Sequence, residues 1–472
     1  MATLLVGAMA VIWVVLARRQ SHFLYGLFAT APWAGLYVVL QWQLDLFKVG
    51  LLFVPLMLVR ARTVGRNRTL LILTASLGLL AAVHLCWQLG SQEIEAYDVV
   101  HSLSTSQRLS VAFTMFVLRL VMFLFVIAAV RSLAVAQSCL RWYCNSLFVL
   151  GCYGIIQEVV YLLWGDIITP IYRAGVLNPL GDYQAVMVGP VSVLRINSFC
   201  GEPKDFALFV TPAIVYLGHY ILQETRTRAR LMAIVQLIVI TTAAFLTLAS
   251  SLLLMMPIIL VVIVMLSARG MRRARIALLA LAMGTALWPV WSMFSEVRIF
   301  ERFQGFNDLL QISRERPALH FWLEHMPRSF LGFAVGGQAY YVPANMPLGF
   351  MREAIKLGHS VGIDSFWLSM LFDLGIPGLT ITVVIIASTI FHRRMTDRPA
   401  APLRGAAIAA ALISIPLQGD IHSAILWLMA GAAAGVTTGP GPRHWMPPSA
   451  LSMNAIRPVP LKVRCESQAP AG

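Results

Sequence analysis

The stretch Arg195 to Pro203, RINSFCGEP, sets an arginine, a serine and a glutamate where an apolar run is about to begin. A second polar stretch, residues 294–365, ends in HSVGIDS immediately before another apolar run opens at Phe366. The residue types divide by chemistry. Arginine stays protonated at any working pH and grips an oxyanion through paired, charge-assisted hydrogen bonds. Aspartate, glutamate and histidine can orient a hydroxyl or take its proton when within hydrogen-bond reach. Together the two stretches read as the walls of one extracytoplasmic site.

The elements that must position these walls follow from composition. Mean hydropathy is +0.76, 58% of residues are hydrophobic and 12% charged, too little polar surface for a soluble protein of 472 residues. A helix needs about 20 mostly apolar residues to cross a hydrocarbon core roughly 30 Å thick. Backbone groups in lipid must be satisfied within each segment, so helices are expected, and the alternation of a β-barrel is absent. Apolar runs lie near 2–17, 21–40, 44–59, 69–88, 109–130, 142–164, 206–223, 231–249, 252–268, 276–293, 366–391, 403–418 and 421–437. The expected fold is an all-α polytopic integral membrane protein with about 12–14 transmembrane helices and one large extracytoplasmic loop. The first three runs are short or interrupted by Asp45 and Lys48, and the pair meeting at Ser250 and Ser251 could form one broken helix.

Orientation follows from arginine, because short loops rich in Lys and Arg stay in the cytoplasm. The clusters Arg18–Arg19, Arg60 to Arg68, Arg131 with Arg141, Arg226 to Arg230, Arg269 to Arg275 and Arg393 to Arg404 alternate correctly between runs. Segments 89–108, 165–205 and 294–365 then fall outside. Residues 1–437 read as a single membrane domain, with the motif-bearing part at 190–391 and the outer loop at 294–365. Residues 438–472, rich in Pro and small residues, read as a cytoplasmic, disordered tail.

The net charge of +15 is spread over these cytoplasmic loops, where anionic lipid accounts for it, and nucleic acid is not an expected partner. The run 2–17 lacks a basic n-region, so the first span is expected to be retained. Six cysteines form no ligand set, since Cys139 and Cys144 have no second pair to complete them. Only Cys200 lies outside, near the first motif. No CxxC, HExxH or Walker sequence occurs, and Gly332, Gly336 and Gly337 do not open a helix after a strand. No nucleotide cofactor and no metal are expected.

The combination R-x-x-S-F-x-G-E-P ahead of a span, one large outer loop, and a later span running to G-x-x-G-x-T resembles the O-antigen polymerase and ligase superfamily. In the ligase branch the second motif is His, then Asn, Ser or Gln, nine residues, then G-x-x-G-x-T. Here Asp364-Ser365 precede the nine residues Phe366 to Leu374, followed by Gly375, Gly378 and Thr380. The spacing matches and the histidine does not. Aspartate at that position departs from ligation to lipid A core, and the S-F-x-G-E-P form is similar to exopolysaccharide and O-antigen polymerases.

The resemblance implies a metal-independent, inverting glycosyltransferase that moves a glycan from an undecaprenyl-diphosphate carrier to an acceptor sugar hydroxyl. The site would face the periplasm from the bacterial inner membrane, with no cofactor. The implied partners are the lipid-linked glycan donor, the glycan acceptor, membrane lipid, and polysaccharide export and chain-length proteins. Without a metal, arginines must stabilise the departing diphosphate, and such charge stabilisation in a water-poor site is often the largest catalytic term. Arg195 is the first candidate, with Arg298 and Arg302 second; interfacial snorkelling is the competing role for any outer arginine. Asp364 fills the acceptor-activating position by motif register and His359 competes for it. Ser198, Glu202, Arg314, Arg316 and Arg328 are candidates for substrate binding. Glu202 beside Pro203 could equally be a first-turn helix charge.

Within the apolar runs, Arg119 and Glu158 are of opposite sign on consecutive segments. Because an unpaired charge at the bilayer centre costs at least about 2.5 kcal/mol, they are expected to pair. Asp373 has no evident partner in sequence. Trp322, Tyr340 and Tyr341 could stack on sugar rings or pack within the loop. A ligase, and from another class a transporter or flippase, are the rival functions, but no internal repeat of the transporter kind is found.

Overall fold

The structure is a computed structural model that describes residues 2–33, 37–38, 44–61, 68–91, 105–165, 185–188, 191–194, 196, 198, 203–247, 249, 252, 256–257, 259, 315–326, 328–338, 341, 363, 365–392, 395, 398–415 and 424–438. The described helices are α1 (Ala2–Leu16), α2 (Gln20–Thr30), α3 (Leu46–Arg60), α4 (Arg68–Ser91), α5 (Thr105–Ala129), α6 (Leu133–Trp164), α7 (Pro203–Gln223), α8 (Thr227–Leu246), α9 (Glu315–Glu324), α10 (Phe366–Ile390), α11 (Ala401–Ile413) and α12 (Ala424–Thr438). Two short antiparallel ladders interrupt them: β1 (Tyr37–Val38) with β2 (Leu44–Asp45), and β3 (Ala185–Val188) with β4 (Val191–Leu194).

Six helices among the described residues are long and apolar enough to cross a bilayer, namely α4 to α8 and α10; α1, α11 and α12 are shorter apolar helices. The chain is therefore a helical, polytopic membrane protein. The expected spans at 252–268 and 276–293 lie almost wholly outside the described residues, as do most of the outer loop and the tail. The expected run 21–40 is not one span: α2 ends at Thr30, before Pro32. Asp45 and Lys48 do not break a helix but start one. Asp45 caps α3 by accepting the Lys48 backbone N–H at 2.7 Å, and the Lys48 ammonium returns to its carboxylate at 3.3 Å.

Helix ends sort onto two faces. On one, arginines cap neighbouring helices: Arg60 Nη1 donates to the Ala17 carbonyl at 3.2 Å and Arg131 Nη2 to the Ala61 carbonyl at 3.3 Å. Arg141 donates to the Tyr220 hydroxyl at 3.4 Å, which donates to Glu224 at 2.6 Å. That hydroxyl, with the Arg226 backbone N–H, holds the Glu224 carboxyl below its usual range. On the other face, the Ile196 N–H meets the Leu246 carbonyl at 3.2 Å and the Phe366 N–H meets the Ser414 carbonyl at 3.0 Å. The arginine-rich face is the one expected in the cytoplasm, and the start of α10 lies on the opposite face.

At the centre stands α12, packed against α5, α10 and α11. Every residue from Ala424 to Val436 is buried. Its run Ala430 to Gly435 is made of alanine and glycine only, which lets helix backbones approach. A Cβ on Gly435 would lie 2.5 Å from the Val130 carbonyl oxygen. Trp427 sits edge-on to Phe123 and Phe366, ring centroids 5.6 and 6.2 Å apart.

Helix α10 is broken at Gly375, whose φ of 66° and ψ of −169° are open essentially to glycine alone. The turn Phe330 to Gly332 crosses the helix there. A Cβ on Gly375 would strike the Phe330 carbonyl oxygen, and one on Gly332 (φ 94°) would lie 2.5 Å from the Gly375 nitrogen. Gly375→Ala adds backbone strain of about 1–3 kcal/mol to that clash. A clear fall in the apparent melting temperature of the detergent-solubilised protein is expected, against little change for Gly7→Ala, where a Cβ meets nothing within 4 Å.

Candidate functional site

The first wall is built on α6. Helix α6 is 32 residues long, roughly 48 Å at 1.5 Å per residue, and it outruns the hydrocarbon core. It ends at Gly165, whose φ of 72° closes it with an N–H to the Tyr161 carbonyl at 2.8 Å. Against its last four turns lie β4, Ile196 and Ser198. Glu158, 4% exposed, accepts the Leu194 backbone N–H at 3.0 Å. Gln157, 2% exposed, accepts the Ser198 backbone N–H at 3.0 Å. The Tyr161 and Ser192 hydroxyls share a hydrogen bond of 2.6 Å. Ile196 fills the notch left by Gly154, where a Cβ would lie 2.7 Å from its Cδ1.

Ser198 has its hydroxyl on the Leu150 carbonyl at 2.8 Å and its φ at 51°, and it is fully buried. A direct bond from this hydroxyl to a substrate would require the Leu150 bond to open. The expected Arg119–Glu158 ion pair is not present among the described residues. Glu158 turns to the Leu194 backbone, and Arg119 Nη1 donates to the Met115 carbonyl at 3.2 Å.

The second wall is built on α10 and α4. Asp373, fully buried, accepts the Gly336 N–H at 3.0 Å and the Gln338 N–H at 3.4 Å. Its carboxylate therefore does have partners, among them these two backbone groups of the segment before α10. The side-chain carbonyl of Gln338 accepts the Ile363 N–H at 2.9 Å and the Ser369 hydroxyl at 3.2 Å. Ser365 caps α10 by accepting the Leu368 N–H at 3.3 Å. The positions on either side of 364 are thus both fixed. Trp322 and Tyr341 are buried with Phe321, Phe333 and Phe372 in one aromatic cluster, Phe333 lying 4.9 Å from both Tyr341 and Phe372. Their described role is packing under the loop.

Of the sequence-predicted residues, Arg195, Glu202, Arg298, Arg302, Arg314, His359 and Asp364 lie outside the described residues. The backbone of Arg316 falls in α9 but its side chain lies outside them too. Ser198 and Arg328 are described and stand on different helix groups: Ser198 on α6, and Arg328 exposed in a short 3-10 turn after α9 that packs on α10. Neither a family model nor a curated protein matches the sequence.

Sequence reading passed over Gln157 and Gln338, gave Glu158 the wrong partner and found none for Asp373. A polar side chain inside an apolar run is the signal that marks Gln157, Glu158 and Asp373, because such groups need a partner there; Gln338, in the polar stretch 294–365, carries no such mark. The two bonds into Asp373 come from N–H donors, and an amide can accept only one of them through oxygen. Asp373→Asn is expected to cost about 1–3 kcal/mol, the penalty of a buried unmet donor. Faster proteolysis of the 326–341 segment in detergent, with Ser388→Ala as an unchanged control, is the measurement.

Proposed function

We propose that the protein is a membrane-embedded inverting glycosyltransferase that polymerises undecaprenyl-diphosphate-linked oligosaccharide repeat units into exopolysaccharide or O-antigen. Its site would face the periplasm across the bacterial inner membrane. The observation that carries this reading is the backbone around the arginine of R-x-x-S. Leu194, Ile196 and Ser198 are all buried, and their N–H groups are all bonded. A backbone held on both sides of position 195 supports a fixed site at this motif. The motif spacing from Asp364 to Thr380 adds support, since the glycine that opens G-x-x-G-x-T is the one the crossing turn requires.

In this reading the acceptor oxygen bonds to the anomeric carbon from the face opposite the leaving group. The bond from that carbon to the diphosphate oxygen breaks, and its electron pair leaves with the lipid diphosphate. Arg195, with Arg298 and Arg302, stabilises the charge that grows on that oxygen. Asp364, or His359 in its stead, orients the acceptor hydroxyl and receives its proton. Both motif stretches lead directly into helices, α7 and α10, whose N-termini favour a nearby anion.

Arg195→Ala and Asp364→Ala in the producing cell test this. A polymerase missing Arg195 is expected to lose roughly 10²–10³-fold in rate, the usual scale for removing one charge-stabilising donor, so long chains vanish while single repeat units are still made. Long chains stranded on the carrier lipid would mark a ligase instead. Unchanged polymer in both variants would overturn the assignment.

A further inference from the structure

A single stripe of α6, Leu150, Gly154, Gln157, Glu158 and Tyr161, receives Ser192, Leu194, Ile196 and Ser198. Two of its side-chain bonds, from Glu158 and Gln157, go to backbone N–H groups, of Leu194 and Ser198. They stand on the two sides of Arg195, one residue before it and three after. Burying a carboxylate costs several kcal/mol before its partners repay it, and Ile196 seated on Gly154 already supplies apolar docking. What the polar pair adds is register, since a hydrogen bond fixes the chain along the helix where a methyl group in a notch lets it slide.

We infer that Glu158 and Gln157 are positioning residues for Arg195, acting through the backbone that they hold before and after it. The inference rests on the reading of Arg195 given above. Neither side chain touches the substrate; both act through the backbone they hold. Misplacement of a reacting group by about 1 Å can cost about 10²-fold in rate. The loss should therefore fall on turnover and leave donor affinity nearly unchanged.

The test uses the full chain in phospholipid vesicles, with a polyprenyl-diphosphate-linked repeat unit as donor. Glu158→Met keeps length and removes the acceptor, and is expected to lower kcat about 10- to 100-fold with KM moved less than about threefold. Glu158→Gln keeps a carbonyl for the Leu194 N–H and is expected to restore kcat to within about threefold of the parent. Arg195→Ala added to Glu158→Met should cost far less than it does alone, because groups acting as a unit are non-additive. If Glu158→Met does not fold, Gln157→Met carries the same expectation from the other side.

Fully multiplicative losses, or a Glu158→Met protein with a lower melting temperature and parental kcat, would reduce the pair to a structural role and overturn the inference alone. Parental kcat in Arg195→Ala would instead bring down the role of Arg195, and the positioning claim with it.

Discussion

Backbone N–H groups have nowhere to go in hydrocarbon, and this protein meets that constraint by sending polar side chains out of its helices to collect them. In a regular span every such group is bonded within its own helix. Leu194, Ile196, Ser198 and the residues from Gly332 to Gln338 do not lie in a regular span, so their donors need partners from elsewhere. Glu158 and Gln157 supply them for Leu194 and Ser198, Asp373 for Gly336 and Gln338, and Gln338 does the same for Ile363. Each lies in a well-buried position and accepts from backbone. The irregular chain at the mouth of the bundle can exist there because four polar side chains accept its hydrogen bonds.

The same constraint explains why the two walls differ in rigidity of construction. The first is a short strand laid along one long helix, secured at three points and stopped by a left-handed glycine at the helix end. The second is a turn threaded through a break in α10, where Gly332 and Gly375 let two backbones cross with no side chain between them. Aromatic rings from α9, the turn and α10 then close over the crossing. One wall depends on hydrogen-bond register and the other on the absence of two Cβ atoms.

Hydropathy made the long helices legible, because an apolar run long enough to span has few alternatives. α4, α5, α7, α8 and α10 start and stop within a few residues of the apolar runs. The β3–β4 ladder was not anticipated, although Val-Met-Val and Val-Ser-Val around Gly189-Pro190 carry a strand–turn–strand pattern. Glu158 was read as half of an ion pair because charge complementarity is visible in a sequence, whereas a backbone N–H carries no letter of its own. Asp373 lacked an evident partner for the same reason. Hydropathy was also blind to what surrounds α12: an alanine-rich helix reads the same whether lipid or protein encloses it, and here protein encloses every side.

That enclosure constrains the order of assembly. α12 follows all of its neighbours in the sequence, yet it occupies the axis on which α5, α10 and α11 converge. Until residues 424–438 have left the ribosome, those helices face one another across a gap the width of a helix. Membrane insertion of the earlier segments can therefore proceed in chain order, while consolidation of these helices must await α12.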